Sequence, residues 1–335
     1  MTATVTAPVQ RQFALHDPST VPAEPPSDSW YHHRVPLVDS VRNLWRHREI
    51  IYTLAERDFR AQYKQATLGL MWAVLSPVAT LAIFIVVFSR VKSFGSEGLP
   101  YPLYAFVGIL CWSFFSSAFG NGGQSLLNNK ALLAKTQFPR ECFPLETMGV
   151  SGLNTILSWI PLAILFVVFD RAPRITGLFV PALMLIEVIF AAGITMAVAS
   201  LVIGMRDLVQ VLPIATSLGL FATPVIWPFS KIPDHVHVGG GHQVITGITH
   251  KINKHGHAIS IVHSHWVGGF YINFQMIYGF INPLGPVIDQ ARWTMLLGNT
   301  PEWNLVAVAA AGALLYLYFG YRIFKRLEVN FADIA

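Results

Sequence analysis

The chain has 335 residues, 53% of them hydrophobic and only 12% charged, with a formal net charge of +5. A soluble domain carries about 25% charged residues, so an ordinary water-exposed surface is excluded. The positive balance requires no nucleic acid, because basic residues at the cytoplasmic rim of membrane spans produce it.

In chain order, residues 1–36 are rich in Pro, Ser, Thr and Ala and contain no apolar leader core. A disordered cytoplasmic tail is expected there. Between 37 and 64, Leu37, Val41, Leu44, Ile51, Leu54, Phe59 and Tyr63 fall on one helical arc about 120° wide. Arg42, Arg46, Arg57, Arg60 and Lys64 fall mostly opposite. This predicts an amphipathic helix lying in the membrane interface, with a soluble helix packed on a partner as the alternative.

Six stretches then run nearly free of charge: 65–89, 98–129, 147–169, 175–205, 208–230 and 303–321, broken only by Glu187. About 20 apolar residues cross the ~30 Å of hydrocarbon. The spans predicted are 67–90, 102–125, 145–169, 177–203, 208–227 and 303–322, giving an all-α polytopic membrane protein with six transmembrane helices. Fifteen Lys and Arg residues fall on the side of the two termini and eight on the other, so both termini are expected in the cytoplasm. Residues 266–288 are also uncharged. A seventh crossing there would put the basic C-terminus outside, and Asn273, Gln275, Asn282 and Pro283 suit lipid poorly. Short re-entrant or outer-leaflet helices before the last span are expected instead.

Chemistry is sparse. No Gly-Lys dipeptide occurs, so the phosphate cradle of an ATPase is missing. No HExxH, GxSxG or CxxC occurs either, and no catalytic residue or metal site is assigned. Cys111 and Cys142 lack metal-ligand spacing. Glu187 is costly within a span and functional by default; a structural acid between helices is the alternative. Eight of the twelve histidines lie in a Gly-rich stretch between Pro233 and Trp266. A solvated, pH-sensitive loop is the simplest reading, and an external transition-metal site the sharper one. A secondary transporter would show internal repeats and several intramembrane charges, neither of which is evident.

Several short blocks remain. Arg57-Asp58, Arg60, Tyr63, Gln65, Leu68-Gly69, Trp72 and Pro77 open the series. Tyr101-Pro102-Leu103, Trp112-Ser113-Phe114-Phe115 and Lys135-Thr136-Gln137-Phe138-Pro139-Arg140-Glu141 follow. Arg206-Asp207-Leu208, Pro224-Val225-Ile226-Trp227-Pro228, Asn282-Pro283-Leu284, Arg292-Trp293, and Asn330-Phe331 with Asp333 close it. In this order they resemble the ABC-2-type permeases that export O-antigen, capsule, teichoic acid and related cell-envelope glycans.

The resemblance implies that residues 37–335 form one ABC-2-type transmembrane domain. Its parts would be a surface helix (37–64), a coupling region (127–143) and an extracellular or re-entrant region (228–300) into which the His-rich insertion falls. It implies a homodimer in the cell (inner) membrane docking two ABC ATPase subunits, which carry the ATP and Mg; no cofactor is expected on this chain. Lys130, Lys135, Phe138, Pro139, Arg140 and Glu141 would meet the ATPase. Arg57, Arg60 and Lys64 would attract the diphosphate of a polyprenyl-linked glycan. Aromatic faces pack on sugar rings, so Trp72, Tyr104, Phe106, Trp112, Phe115 and Phe119 are the candidate substrate path. Trp112, Phe115 and Phe119 share one stripe. Lipid-belt aromatics are the alternative reading of that set, and an exporter of lipid or drug the alternative cargo.

Overall fold

The computed structural model describes residues 42, 44–64, 66–88, 98–133, 139–234, 236–238, 242–252, 258–267 and 270–328. The N-terminal tail, Gln65, Lys135, Phe138, Asn330, Phe331 and Asp333 lie outside these residues.

Helix α1 (Arg48–Lys64) precedes α2 (Met71–Phe88) and the long α3 (Tyr101–Asn128). A single turn, α4 (Lys130–Leu133), lies in the loop that leads to α5 (Cys142–Leu157) and α6 (Trp159–Val168). These two belong to one apolar run broken at Ser158. Pro161 has no N–H for the carbonyl four residues back, and the Ser158 hydroxyl donates at 3.2 Å to the Ala73 carbonyl of α2. A 3₁₀ turn, Ile175–Phe179, feeds α7 (Val180–Gly204), followed by α8 (Leu208–Ala222). After the insertion come α9 (Phe274–Ile281), α10 (Leu284–Arg292), a π turn at Trp293–Leu297, and α11 (Trp303–Glu328).

Four of these helical stretches are long and apolar enough to cross a membrane: Tyr101–Asn128, Cys142–Val168, Ile175–Gly204 and Trp303–Glu328. Met71–Val87 and Leu208–Ala222 are apolar but shorter. The 15 residues of α8 rise roughly 22 Å at 1.5 Å each. The described residues of 266–288 contain no helix long enough to cross, since α9 and α10 have 8 and 9 residues.

The all-α expectation needs one correction. The insertion folds as antiparallel pairs, β1 (Val236–Val238) with β4 (Phe270–Ile272) and β2 (His242–Ile252) with β3 (Ala258–Val267). The physical reason is local. Val244, Ile245, Ile248, Ile259, Ile261 and Val262 favour a pleated surface, and their density there outweighs the polar character of the histidines between them.

Two packing modes organise the helices. Helices α7 and α11 touch backbone to backbone: a Cβ on Gly320 would collide with the carbonyl of Gly193, and one on Gly193 with the backbone of Tyr316 and Leu317. Along the other side of α3, aromatic rings fill the space. Phe115 stacks on Phe119 at 6.0 Å and on Phe190 of α7 at 5.3 Å, and Phe190 meets Tyr316 of α11 edge-on.

The short helices α9 and α10 are held by the polar residues that made this stretch a poor lipid-facing span. Asn273 caps α9 by accepting the Met276 N–H at 3.0 Å. Asn282 donates to Thr223 Oγ1 and to the Tyr278 hydroxyl, each at 2.9 Å. Arg292, 2% exposed, donates to the carbonyls of Tyr104 (3.0 Å), Pro224 (2.9 Å) and Val225, and lies over the Tyr104 ring. Irregular backbone within a membrane persists only where protein satisfies it, and Arg292 does this for the turn after α8.

Candidate functional site: a neutral groove among the helices

A groove of about 660 Å³ opens between α1, α2, α3, α5 and α8. Its walls carry Ser76 and Thr80 from α2, Ser113, Ser116, Ser117 and Asn121 from α3, Ser151, Asn154 and Thr155 from α5, and Ser158 from the break after it. Thr216 and Ser217 come from α8, Gln62 and Tyr63 from α1, and Trp72 and Trp112 stand among them. Among the described residues, none that lines it is charged.

The hydroxyl geometry gives the groove a bias. Thr155 donates to the Ser151 carbonyl at 2.9 Å, Ser217 to that of Pro213 at 2.8 Å, and Thr80 to that of Ser76 at 3.1 Å. A hydroxyl has one hydrogen and two lone pairs. With the hydrogen spent on the helix backbone, the oxygen is left to accept. Ser117 and Ser151 share a 2.9 Å bond across the α3–α5 joint, and Asn121 reaches Ser117 at 3.3 Å. At the α1 end, Tyr63 donates to Asn154 Oδ1 at 2.8 Å. Burial pushes the Tyr63 hydroxyl above the ordinary phenol range, so it remains a neutral donor.

The predicted aromatics separate into three places. Trp72 and Trp112 line the groove. Trp112 lies against Gly219, where a Cβ would come within 2.8 Å of the indole ring. Phe115 and Phe119 belong to the ladder with α7. Tyr104 and Phe106 are fully buried in the core, away from the groove lining. The groove's Ser and Thr residues were missed, although their signal is legible. Ser113, Ser116, Ser117 and Asn121, and likewise Ser151, Asn154, Thr155 and Ser158, recur at helical spacing inside apolar runs.

Arg57, Arg60 and Lys64 sit three and four residues apart on α1 and line one hollow of about 720 Å³ with Phe59, Tyr63 and Leu70. Arg57 Nε pairs with Asp58 at 2.6 Å and Arg60 pairs with Glu56, so the hollow is less positive than its cations alone suggest.

In the stretch 127–143, where a coupling region was expected, Lys130 begins the α4 turn and Pro139 is half-buried. Arg140 and Glu141 turn inward to the end of α11. Arg140 donates to the Glu328 carbonyl at 2.7 Å, and Glu141, 1% exposed, pairs with Lys325. A buried side chain offers no surface to a soluble partner, so Glu141 faces the interior of the helical bundle. Glu187 is fully buried beside Cys111, away from the groove, and neither carboxyl oxygen has a hydrogen-bond partner among the described residues.

Comparison with known proteins agrees with this membrane architecture. A family described as ABC-2 type transporter matches residues 49–237. The chain is 28% identical over 199 residues to an O-antigen export system permease protein RfbA of Myxococcus xanthus, covering 59% of this chain and 75% of that one. It is 26% identical over 288 residues to a Klebsiella pneumoniae protein of the same name, covering 85% and 95%. The family match spans more than half of the chain, which therefore belongs to the ABC-2 type transporter family and is a multi-pass transport subunit rather than an enzyme.

Proposed function

We propose that this chain is the permease of an ABC exporter that moves a polyprenyl-linked polysaccharide outward across the inner membrane, driven by separate ATPase subunits. The observation that carries the reading is the neutral groove. A polysaccharide presents hydroxyl donors and apolar ring faces; the groove offers hydroxyl acceptors beside two indoles. The absence of charge from its lining suits a polymer that must slide, because a fixed ion pair would hold one segment. An apolar cargo such as a drug or lipid tail would leave those oxygens unpaired, at a cost of about 1–3 kcal/mol each. The similarity to relatives named O-antigen export system permease supports the same reading.

Six crossings follow if α2 and α8 complete the four longer helices, with α1 in the interface. The Glu141–Lys325 and Arg140–Glu328 contacts support a common side for the coupling region and the end of α11. The excess of basic residues on that side supports the cytoplasm. Two copies would set their grooves face to face. The glycan's diphosphate would rest at the α1 hollow beside Arg57, Arg60 and Lys64 while the sugar chain enters the groove. ATPase closure on ATP would push the loop 127–143 and shift the spans.

Depletion of the chain in its host tests this. Lipid-linked glycan should accumulate inside the cell, and an ATPase subunit should co-purify with the tagged permease. Unchanged glycan distribution after depletion would overturn the reading.

A further inference from the structure

Two links fasten the end of the coupling region to the end of the last helix. Lys325 Nζ pairs with the buried Glu141 carboxylate and, at 2.7 Å, with Glu328 Oε2. Arg140 Nη1 donates to the Glu328 carbonyl at 2.7 Å. The chain neighbours Cys142, Phe143 and Phe324 are all buried. Two cations and two acids thus balance at a largely dry junction, joining residues 184 and 188 positions apart in the chain.

The mechanical consequence lies beyond the groove. Helix α11 meets α7 with no side chain between Gly320 and Gly193, so no flexible group lies between the two backbones to absorb a displacement. A charge pair with one partner buried resists separation, because parting it strands a desolvated carboxylate. We propose that Lys325 is a positioning residue that ties the coupling region to α11, so that a push on that region moves α11 and α7 directly rather than only through α3 and α5. This inference rests on the ATPase-driven reading above. It also reassigns Glu141: its partner is the permease's own last helix, not the ATPase.

The test uses the permease co-purified with its ATPase and reconstituted in vesicles, with ATP hydrolysis and glycan export measured side by side. Lys325→Met should retain the ATPase in the complex and hydrolyse ATP within about twofold of wild type, yet export at least about tenfold less. The exchange Glu141→Lys with Lys325→Glu should recover about a third or more of wild-type export. A neutral pair, Glu141→Gln with Lys325→Met, strands no buried charge and controls for folding; it should export as poorly as Lys325→Met alone. Full export by either Lys325→Met or the neutral pair would overturn the proposal. So would loss of the ATPase from the Lys325→Met complex, which would make the residue a docking contact, or an exchange variant no better than its single parents. Failure of the parent reading shows separately, as a wild-type complex that hydrolyses ATP and moves no glycan.

Discussion

Helices α7 and α11 press their backbones together at Gly193 and Gly320, whereas α2, α3, α5 and α8 stand apart around about 660 Å³ of open space. Both regions are built from small residues. Between helices in lipid the hydrophobic effect supplies no net attraction, so close packing through small residues and interhelical hydrogen bonds must do so. On the α7–α11 side glycine removes every atom that would keep the backbones apart. On the groove side serine and threonine occupy the equivalent positions, yet the helices do not close. Their hydroxyls bond back to their own helix carbonyls or bridge α3 and α5 at the groove's rear. Smallness permits contact in one place and an open groove in the other; the hydroxyl distinguishes the two.

The most severe way to break this comparison is Gly320→Leu. A side chain there must displace the Gly193 backbone, and backbone has little freedom to yield in a packed bundle. Overpacking of this kind costs about 1–3 kcal/mol or more. The purified variant should melt well below wild type and elute as aggregate in detergent. A monodisperse variant with wild-type melting would show that α7 and α11 are not a unit.

How much of this was legible beforehand depended on the physical signal. The apolar runs announced the helices because hydrocarbon thickness imposes their length, and α3 and α11 cover the predicted 102–125 and 303–322 in full. The short α9 and α10 were legible through Asn273, Asn282 and Pro283, polar groups that require protein partners at that depth. The strands of the insertion were not, because its histidines drew the reading toward solution chemistry while its β-branched residues went unweighed. The candidate path was half legible. An aromatic stripe on α3 was expected to face the cargo, but periodicity marks a face without saying what it faces. Phe115 and Phe119 turn to Phe190, while the opposing serine stripe borders the groove. Glu141 was unreadable for a similar reason, since its partner Lys325 lies 184 positions away (325 − 141).

A second substitution sharpens the comparison by separating passage from packing. Ser117→Leu sets a branched side chain into the groove wall beside Ser151 and Asn121. Ser117 is only half-buried, so the open space absorbs much of the added volume, and the stability change should stay near 1 kcal/mol. Export should nevertheless fall about tenfold or more, an energetic penalty near 1.4 kcal/mol on the transport step. Wild-type export with a filled wall would remove the groove from the path. A collapse in melting temperature equal to that of Gly320→Leu would erase the distinction between the two regions.

The smallest effect is the most diagnostic of how the cargo is held. Ser217 is exposed on α8 and spends its hydrogen on the Pro213 carbonyl. Ser217→Ala therefore removes one acceptor oxygen and nothing that supports the helix, so stability should stay within about 0.5 kcal/mol. A sliding polymer shares its hydroxyls among many such oxygens, and losing one should slow export by about twofold or less. Adding Ser113→Ala on α3 should deepen the loss, because each replacement removes a further acceptor oxygen from the lining. A single alanine that abolished export would mean that the groove grips one sugar at one point, and a gripped polymer does not slide.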